Sequence, residues 1–283
     1  MPPTNTPTLR QRRLGAELRK LRERAGLSST AAAARLGFQQ ARMSMIEAGR
    51  YAVSADRVRT MASAYRCPDH ELTDALASMT GGRTRGWWDE YREHLPVCFA
   101  DLAELEHHAT GLRVALVLHI PALLQTHEYA RAVMRDAIPP MRAYDVEHRL
   151  SHRMKRQAIL HSDSPIPYSA VIHEAALRMQ FGGPATARAQ LRHLIEMSEL
   201  DNVTIRVIPF SVGTFPGAGQ SADYVFGTVP GLDTVQLDMV HGIHFMDAEA
   251  ELANYRAIMD GVEAIALEPT QSREFIDSIA RTI

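Results

Sequence analysis

LGFQQARMSMIEAGRY, residues 36–51, reads as a tight turn followed by a short helix. Gly37 supplies the turn, Met43 and Ile46 lie three apart on one side, and Gly49 stops the helix. The other positions carry glutamine, arginine and serine. Such a helix buries one side and offers a polar face, and the surrounding charge says to what. Residues 1–66 hold 13 Lys and Arg against 4 Asp and Glu, a formal +9, which leaves 18 against 29, or −11, for the remainder of the 283-residue chain. A near-neutral whole therefore hides a basic head on an acidic body. That asymmetry suits the head to a polyanion.

Working outward, Leu14, Leu18, Leu21 and Ala25 make one apolar stripe on a first helix ending near Gly26. Ser28 and Ser29 can cap the next helix, TAAAARL, whose alanines allow close packing. Val58, Met61, Ala62 and Tyr65 mark a fourth amphipathic helix. Short helices in this number, with a three-residue turn between the second and third, form a helix-turn-helix arrangement.

At these residues the chain resembles the lambda-repressor-like helix-turn-helix of the XRE family, without gaps across about residues 14–76. The shared elements are Leu21-Arg22, the alanine run 31–34, Leu36-Gly37 and Ile46-Glu47-Ala48-Gly49. The second helix departs from the family in lacking a polar Gln-Glu pair near its start, which leaves Ser28 and Ser29 for phosphate contact there. The resemblance implies that Arg22 and Glu47 pair to lock the first helix to the third. It also implies that Gln39, Gln40, Arg42 and Ser44, with Met45 one turn along, face base edges or flanking phosphates in the major groove. Glutamine can bond adenine twice and arginine can bond guanine twice, so these residue types suit sequence readout. Arg50, past the helix, and Arg10, Arg12 and Arg13, on an N-terminal arm, are placed for phosphate or minor-groove contacts.

The composition fits a two-domain globular chain, with 46% hydrophobic and 23% charged residues. The boundaries expected are a helix-turn-helix domain over 1–80, a glycine-bearing hinge over 81–86, and a mixed α/β domain over 87–283. The fold class is thus an all-α N-terminal domain followed by a mixed α/β C-terminal one. Trp87 and Trp88 begin a helix expected to run to about Ala109, and such a pair either seals a domain interface or stacks on a ligand. Beyond it, strands are expected in LRVALVLHI, YSAVIH, VTIRVIPF, SADYVFGTV and DTVQLDMVHGIHFM, alternating with helices. The body resembles the C-terminal domain of actinobacterial XRE-type regulators often called antitoxin-like, over about residues 85–281, above all in GGPATARAQL followed by NVTIRVIPF. That resemblance implies a regulator, with a small protein encoded nearby as a possible partner, and supplies no catalytic residue.

Enzymatic patterns are weak. His173-Glu174 lacks a second histidine at zinc-protease spacing, and His241 and His244, three apart on an expected strand, point to opposite faces. Ser169, Ser211 and Ser221 sit in no nucleophile elbow, and GTFPGAGQS has glycines without a following lysine. Cys67 and Cys98 make neither a metal pattern nor a disulfide framework. The expectation is a non-enzymatic regulator with no cofactor or metal. The start of the chain has no apolar signal core, and the greasiest run, VALVLHIPALL, is too short for a membrane span and holds Pro121, so a soluble cytoplasmic setting without membrane contact is expected. One recognition helix reads few bases, so a homodimer on an inverted repeat of double-stranded DNA is the expected form. The alternative is an antitoxin that neutralises a small partner and autoregulates its operon.

Overall fold

Thr8 starts the first helix. Its hydroxyl accepts from the Gln11 amide at 3.3 Å and its own amide donates to Gln11 Oε1 at 2.9 Å, a reciprocal capping box. In the computed structural model, which describes residues 6–81, 86–135, 138, 140–218, 220–239 and 242–283, α1 therefore spans Leu9–Arg24. The N-terminal arm is thereby corrected: Arg10, Arg12 and Arg13 belong to α1. Arg12 donates to Pro7 O at 2.7 Å, and Arg13 is buried beside Glu17 at 2.9 Å.

The chain divides into two units, Met1–Asp89 and Glu90–Ile283. In the first, α1 is followed by α2 (Ser29–Leu36), α3 (Gln40–Glu47), α4 (Ala55–Ala64) and α5 (His70–Ser78). Leu14, Leu18 and Leu21 from α1, Met43 and Ile46 from α3, and Val58, Met61 and Ala62 from α4 are all buried. Two glycines permit the closest approach. A Cβ on Gly15 would lie 2.6 Å from the carbonyl oxygens of Ile46 and Glu47, and one on Gly49, at φ +70°, would lie 2.7 Å from Gln11 O. Residues 82–85, the greater part of the expected hinge, lie outside the described residues.

The single helix expected from Trp87 to about Ala109 is two elements. A 3-10 turn spans Trp87–Tyr91, and α6 (Val97–His107) starts only after Pro96. Proline disfavours helical backbone at the residue before it, so Leu95 cannot continue a helix into α6. Trp87 and Trp88 meet edge to face with ring centroids 6.0 Å apart, and Trp88 is buried.

The second unit is built on one mixed sheet. Its strands are β1 (Gly111–Leu116), β2 (Tyr168–His173), β3 (Val203–Ile208), β4 (Ala222–Phe226), β5 (Thr234–Met239) and β6 (Gly242–Met246), in the order β3-β2-β1-β4-β5-β6. The first three are parallel, which requires crossovers; α7 (His127–Arg135) and α8 (Ala143–Arg156) lead from β1 to β2, and α9 (Glu174–Arg178) and α10 (Pro184–Met197) lead from β2 to β3. Strands β4 to β6 run antiparallel, and the stretch 233–246 forms the pair β5 and β6. His244 lies in β6, and His241 falls outside the described residues.

Alternation gives the sheet two unlike faces. Tyr224, Val235 and Leu237 pack with Leu252 and Met259 of α11 (Glu249–Ile265). On the other face Val114, Ala170, Ile172, Ile205 and Val207 meet Leu191 and Leu194 of α10 and Ile276 and Ile279 of α12 (Pro269–Thr282). That second face changes character along the sheet. On β4 and β5 it presents Asp223 opposite Gln236, with Asp238 two residues farther along. Over this polar half lies the buried pair of Arg156 on α8 and Glu106 on α6, bonded at 2.6 and 2.7 Å.

A methyl group at position 15 would meet backbone that cannot swing aside. Gly15→Ala is expected to destabilise the helical unit by about 1–3 kcal/mol, as overpacking does. Urea denaturation against the unsubstituted chain checks this.

Candidate nucleic-acid interface

The turn between α2 and α3 follows from two caps. Ser28 Oγ accepts from the Ala31 amide at 3.1 Å, starting α2. Gly37, at φ 68°, ends it in the left-handed conformation that glycine adopts without strain. Gln39 then takes the N-cap position of α3 without a side-chain cap bond, so its amide is left to solvent.

Gln39, Gln40, Arg42, Ser44, Met45 and Arg50 are all exposed. Gln40 Nε2 donates to Ser44 Oγ at 3.0 Å, one turn along the same side. Ser28 is exposed too, whereas Ser29 Oγ is buried and has no hydrogen-bond partner among the described residues. In this arrangement Ser29 turns its hydroxyl inward.

Arg42 stacks against two aromatic rings. Its guanidinium carbon is 4.9 Å from the Phe38 ring centroid and 4.5 Å from that of Tyr51, and Arg57 stacks on Phe38 at 4.1 Å. Stacking occupies the faces of a guanidinium and leaves its edge of N–H donors available. Sequence reading missed Phe38, Tyr51 and Arg57 as part of this surface. Their signal was an aromatic residue on either flank of α3 in a basic segment.

Charge is sorted within the unit. Carboxylates of Glu17, Glu23 and Glu47 are occupied by Arg13, Lys20, Arg19 and Arg22. Arg35, Arg42, Arg50 and Arg57 make no ion pair among the described residues. These uncompensated cations lie on α2, on α3 and just past it, and on α4, where Arg57 stacks on Phe38.

Arg22 fixes this surface to α1. Its Nε donates to Glu47 Oε1 at 2.6 Å, its Nη2 to Glu47 Oε2 at 2.9 Å and its Nη1 to Leu27 O at 2.7 Å. The hydrogen bond that Arg22 donates to Glu47 raises the pKa of Arg22, so the guanidinium keeps its charge although buried. Tyr65 lies beside the pair, and burial pushes its hydroxyl up to about 12.

With this geometry in place, residues 13–76 match a helix-turn-helix domain, which points to a DNA-binding regulator rather than an enzyme. Residues 99–278 match a domain of unknown function, DUF5753, and the chain belongs to that family. Neither curated proteins nor solved structures give a match. Among the described residues no group of three His, Cys, Asp or Glu side chains could hold a metal ion, and no helix is long and apolar enough to cross a membrane.

Arg22→Met strands a buried carboxylate. It is expected to destabilise the helical unit by about 3–5 kcal/mol, and adding Glu47→Leu should recover much of that loss. A double-mutant cycle by urea denaturation reads the difference; equal losses for the single and double variants would contradict it.

Proposed function

We propose that the chain is a sequence-specific transcriptional regulator of the XRE type, acting in the cytoplasm as a homodimer on an inverted repeat. The reading rests on one observation. Six exposed side chains along and beside α3 stand among arginines that have no carboxylate partner among the described residues. Gln40, Arg42 and Gln39 are then the base readers, Ser44 and Met45 flank them, and Ser28 and Arg50 contact phosphates. Ser29 contributes its backbone amide at the start of α2, where helix termini attract phosphate. Arg22 and Glu47 serve as the lock that holds α3 at its angle. The domain organisation proposed is a DNA-reading head over 1–80, a hinge over 81–86 and a body over 87–283 that receives a small molecule or a protein partner.

Base contacts specify, whereas phosphate contacts position. Arg42→Ala and Gln40→Ala should therefore weaken binding to the cognate operator far more than to random DNA, by about 1–3 kcal/mol per lost bidentate contact. Arg50→Ala should weaken both alike. Genome-wide protection mapping followed by titration of the recovered site provides the comparison. Equal losses on both DNAs for Arg42→Ala would reject base readout by this helix.

Salt supplies an independent measure. Each phosphate neutralised releases counterions, so the logarithm of affinity should fall with that of salt at a slope of about −0.9 for each contact. Arg50→Ala should make that slope shallower by about one such contact. An unchanged slope would remove Arg50 from the phosphate set.

A further inference from the structure

The polar half of the second unit's sheet opens into a cavity of about 820 Å³, lined by His119, Gln125, Arg153, Asp223 and Asp238 among others. That volume lies in the upper part of the roughly 300–1,000 Å³ typical of small-molecule sites. Its rim is fixed. Gln125, itself buried, donates to Ile120 O at 2.7 Å, accepts from Arg153 Nη1 at 2.7 Å, and its carbonyl accepts from Gln157 Nε2 at 2.7 Å. Gln190 bonds both Thr126 N and Leu124 O at 2.7 Å from α10.

Two opposite charges stand in this cavity without meeting. Arg156 takes both oxygens of Glu106, so that carboxylate is not open to Arg153. Arg153 bonds only Gln125 and makes no ion pair among the described residues. Asp223 has no hydrogen bond or ion pair among them either, and Asp238 accepts one bond, from Gln236 at 2.8 Å. An anion alone would be attracted by Arg153 and repelled by the two aspartates. A cation alone would leave Arg153 unsatisfied. One molecule carrying both charges satisfies both sides, and Ile120, Val133 and Met239 offer it apolar contact.

We propose that this cavity binds a zwitterion of short-peptide size, its carboxylate on Arg153 and its protonated amine on Asp223 and Asp238. The electrostatics of the site agree. Burial, aided by Arg156, lowers Arg153 to about 10. Burial, aided by Asp238 and Glu106, raises Asp223 well above the carboxylate range. Each group is short of the counter-charge that such a ligand brings.

The inference deepens the proposal that the body receives a signal, and it rests on that reading. Its assay contains no DNA, so its failure would leave operator reading untouched. The probes are alanine di- and tripeptides with free termini, their N-acetylated forms and their C-amidated forms, titrated calorimetrically into the full chain. Free peptides should bind, and either cap should weaken binding about thirtyfold or more, as expected when one partner of a desolvated charge pair is removed.

Asp223→Asn should abolish the preference for a free amine, and Arg153→Gln the preference for a free carboxylate. Arg153→Gln alters the bond to Gln125 and can disturb the rim, but Asp223→Asn removes no hydrogen bond. The groups around Asp223 are Asp238 on β5, Glu106 on α6, Arg156 and Arg153 on α8, Tyr168 on β2 and His119 at the rim. A raised acid stabilises the fold while protonated, and that contribution is lost as pH rises from the ordinary carboxylate range through the raised value. Asp223→Asn should thus increase the melting temperature of the unliganded chain at neutral pH while weakening the binding of free-ended peptides about thirtyfold or more. No heat from any free-ended peptide, equal affinity for capped and free forms, or unchanged binding by Asp223→Asn would overturn the proposal.

Discussion

The polar face of the helical unit depends on how α3 is held against α1, and the Arg22–Glu47 pair holds it. A bidentate guanidinium–carboxylate contact constrains orientation as well as distance. Here the third nitrogen of Arg22 also ties down Leu27 O, at the chain's entry to α2. One side chain thereby coordinates three helices. The pair works only because Gly15 and Gly49 let the backbones of α1 and α3 approach to distances that any Cβ would forbid. A buried ion pair is weak evidence for stability, since desolvation offsets much of the attraction. Its contribution is angular, and an interface read by side chains one turn apart requires a defined angle.

How far the sequence disclosed this varies with the physics involved. Apolar spacing located the helices of the first unit, because Leu14, Leu18, Leu21, Val58 and Met61 owe their burial to local periodicity. Position 15 was not legible, since nothing in its neighbours announces that the carbonyls of residues 46 and 47 will pass over it. The reading of an arginine arm failed because a capping box at Thr8 and Gln11 extended α1 backwards, and no apolar stripe signals such an extension. The break before α6 was written in Pro96. For α3 the polar residues were visible in order, but the stack of Phe38, Arg42, Tyr51 and Arg57 joins residues that only the turn brings together.

The second unit uses the same kind of contact for a different end. Arg156 and Glu106 are buried and mutually satisfied, as Arg22 and Glu47 are, and they too connect two helices. Beside them the pattern stops. Arg153 lies three residues before Arg156 on α8, close enough for repulsion between the guanidiniums to help depress its pKa, and its hydrogen bond goes to a neutral amide. Packing alone does not account for this, because the adjacent half of the same sheet face is filled by aliphatic side chains.

A fold that only needed to close its sheet could have joined Arg153 to an aspartate, since arginine side chains are long and a direct pair would relieve both groups. The bond that Arg153 donates to Gln125 opposes that collapse by fixing one end of the guanidinium to a rim that Gln157 and Gln190 in turn secure. Opposite charges held apart across a cavity keep their unsatisfied interactions for whatever enters, which is the physical content of preorganisation. The helical unit shows a related separation: its carboxylates are occupied along α1, and the cations around α3 remain uncompensated. In both units, charges without an internal partner among the described residues stand open to an outside one, along α3 in the helical unit and around the cavity in the second.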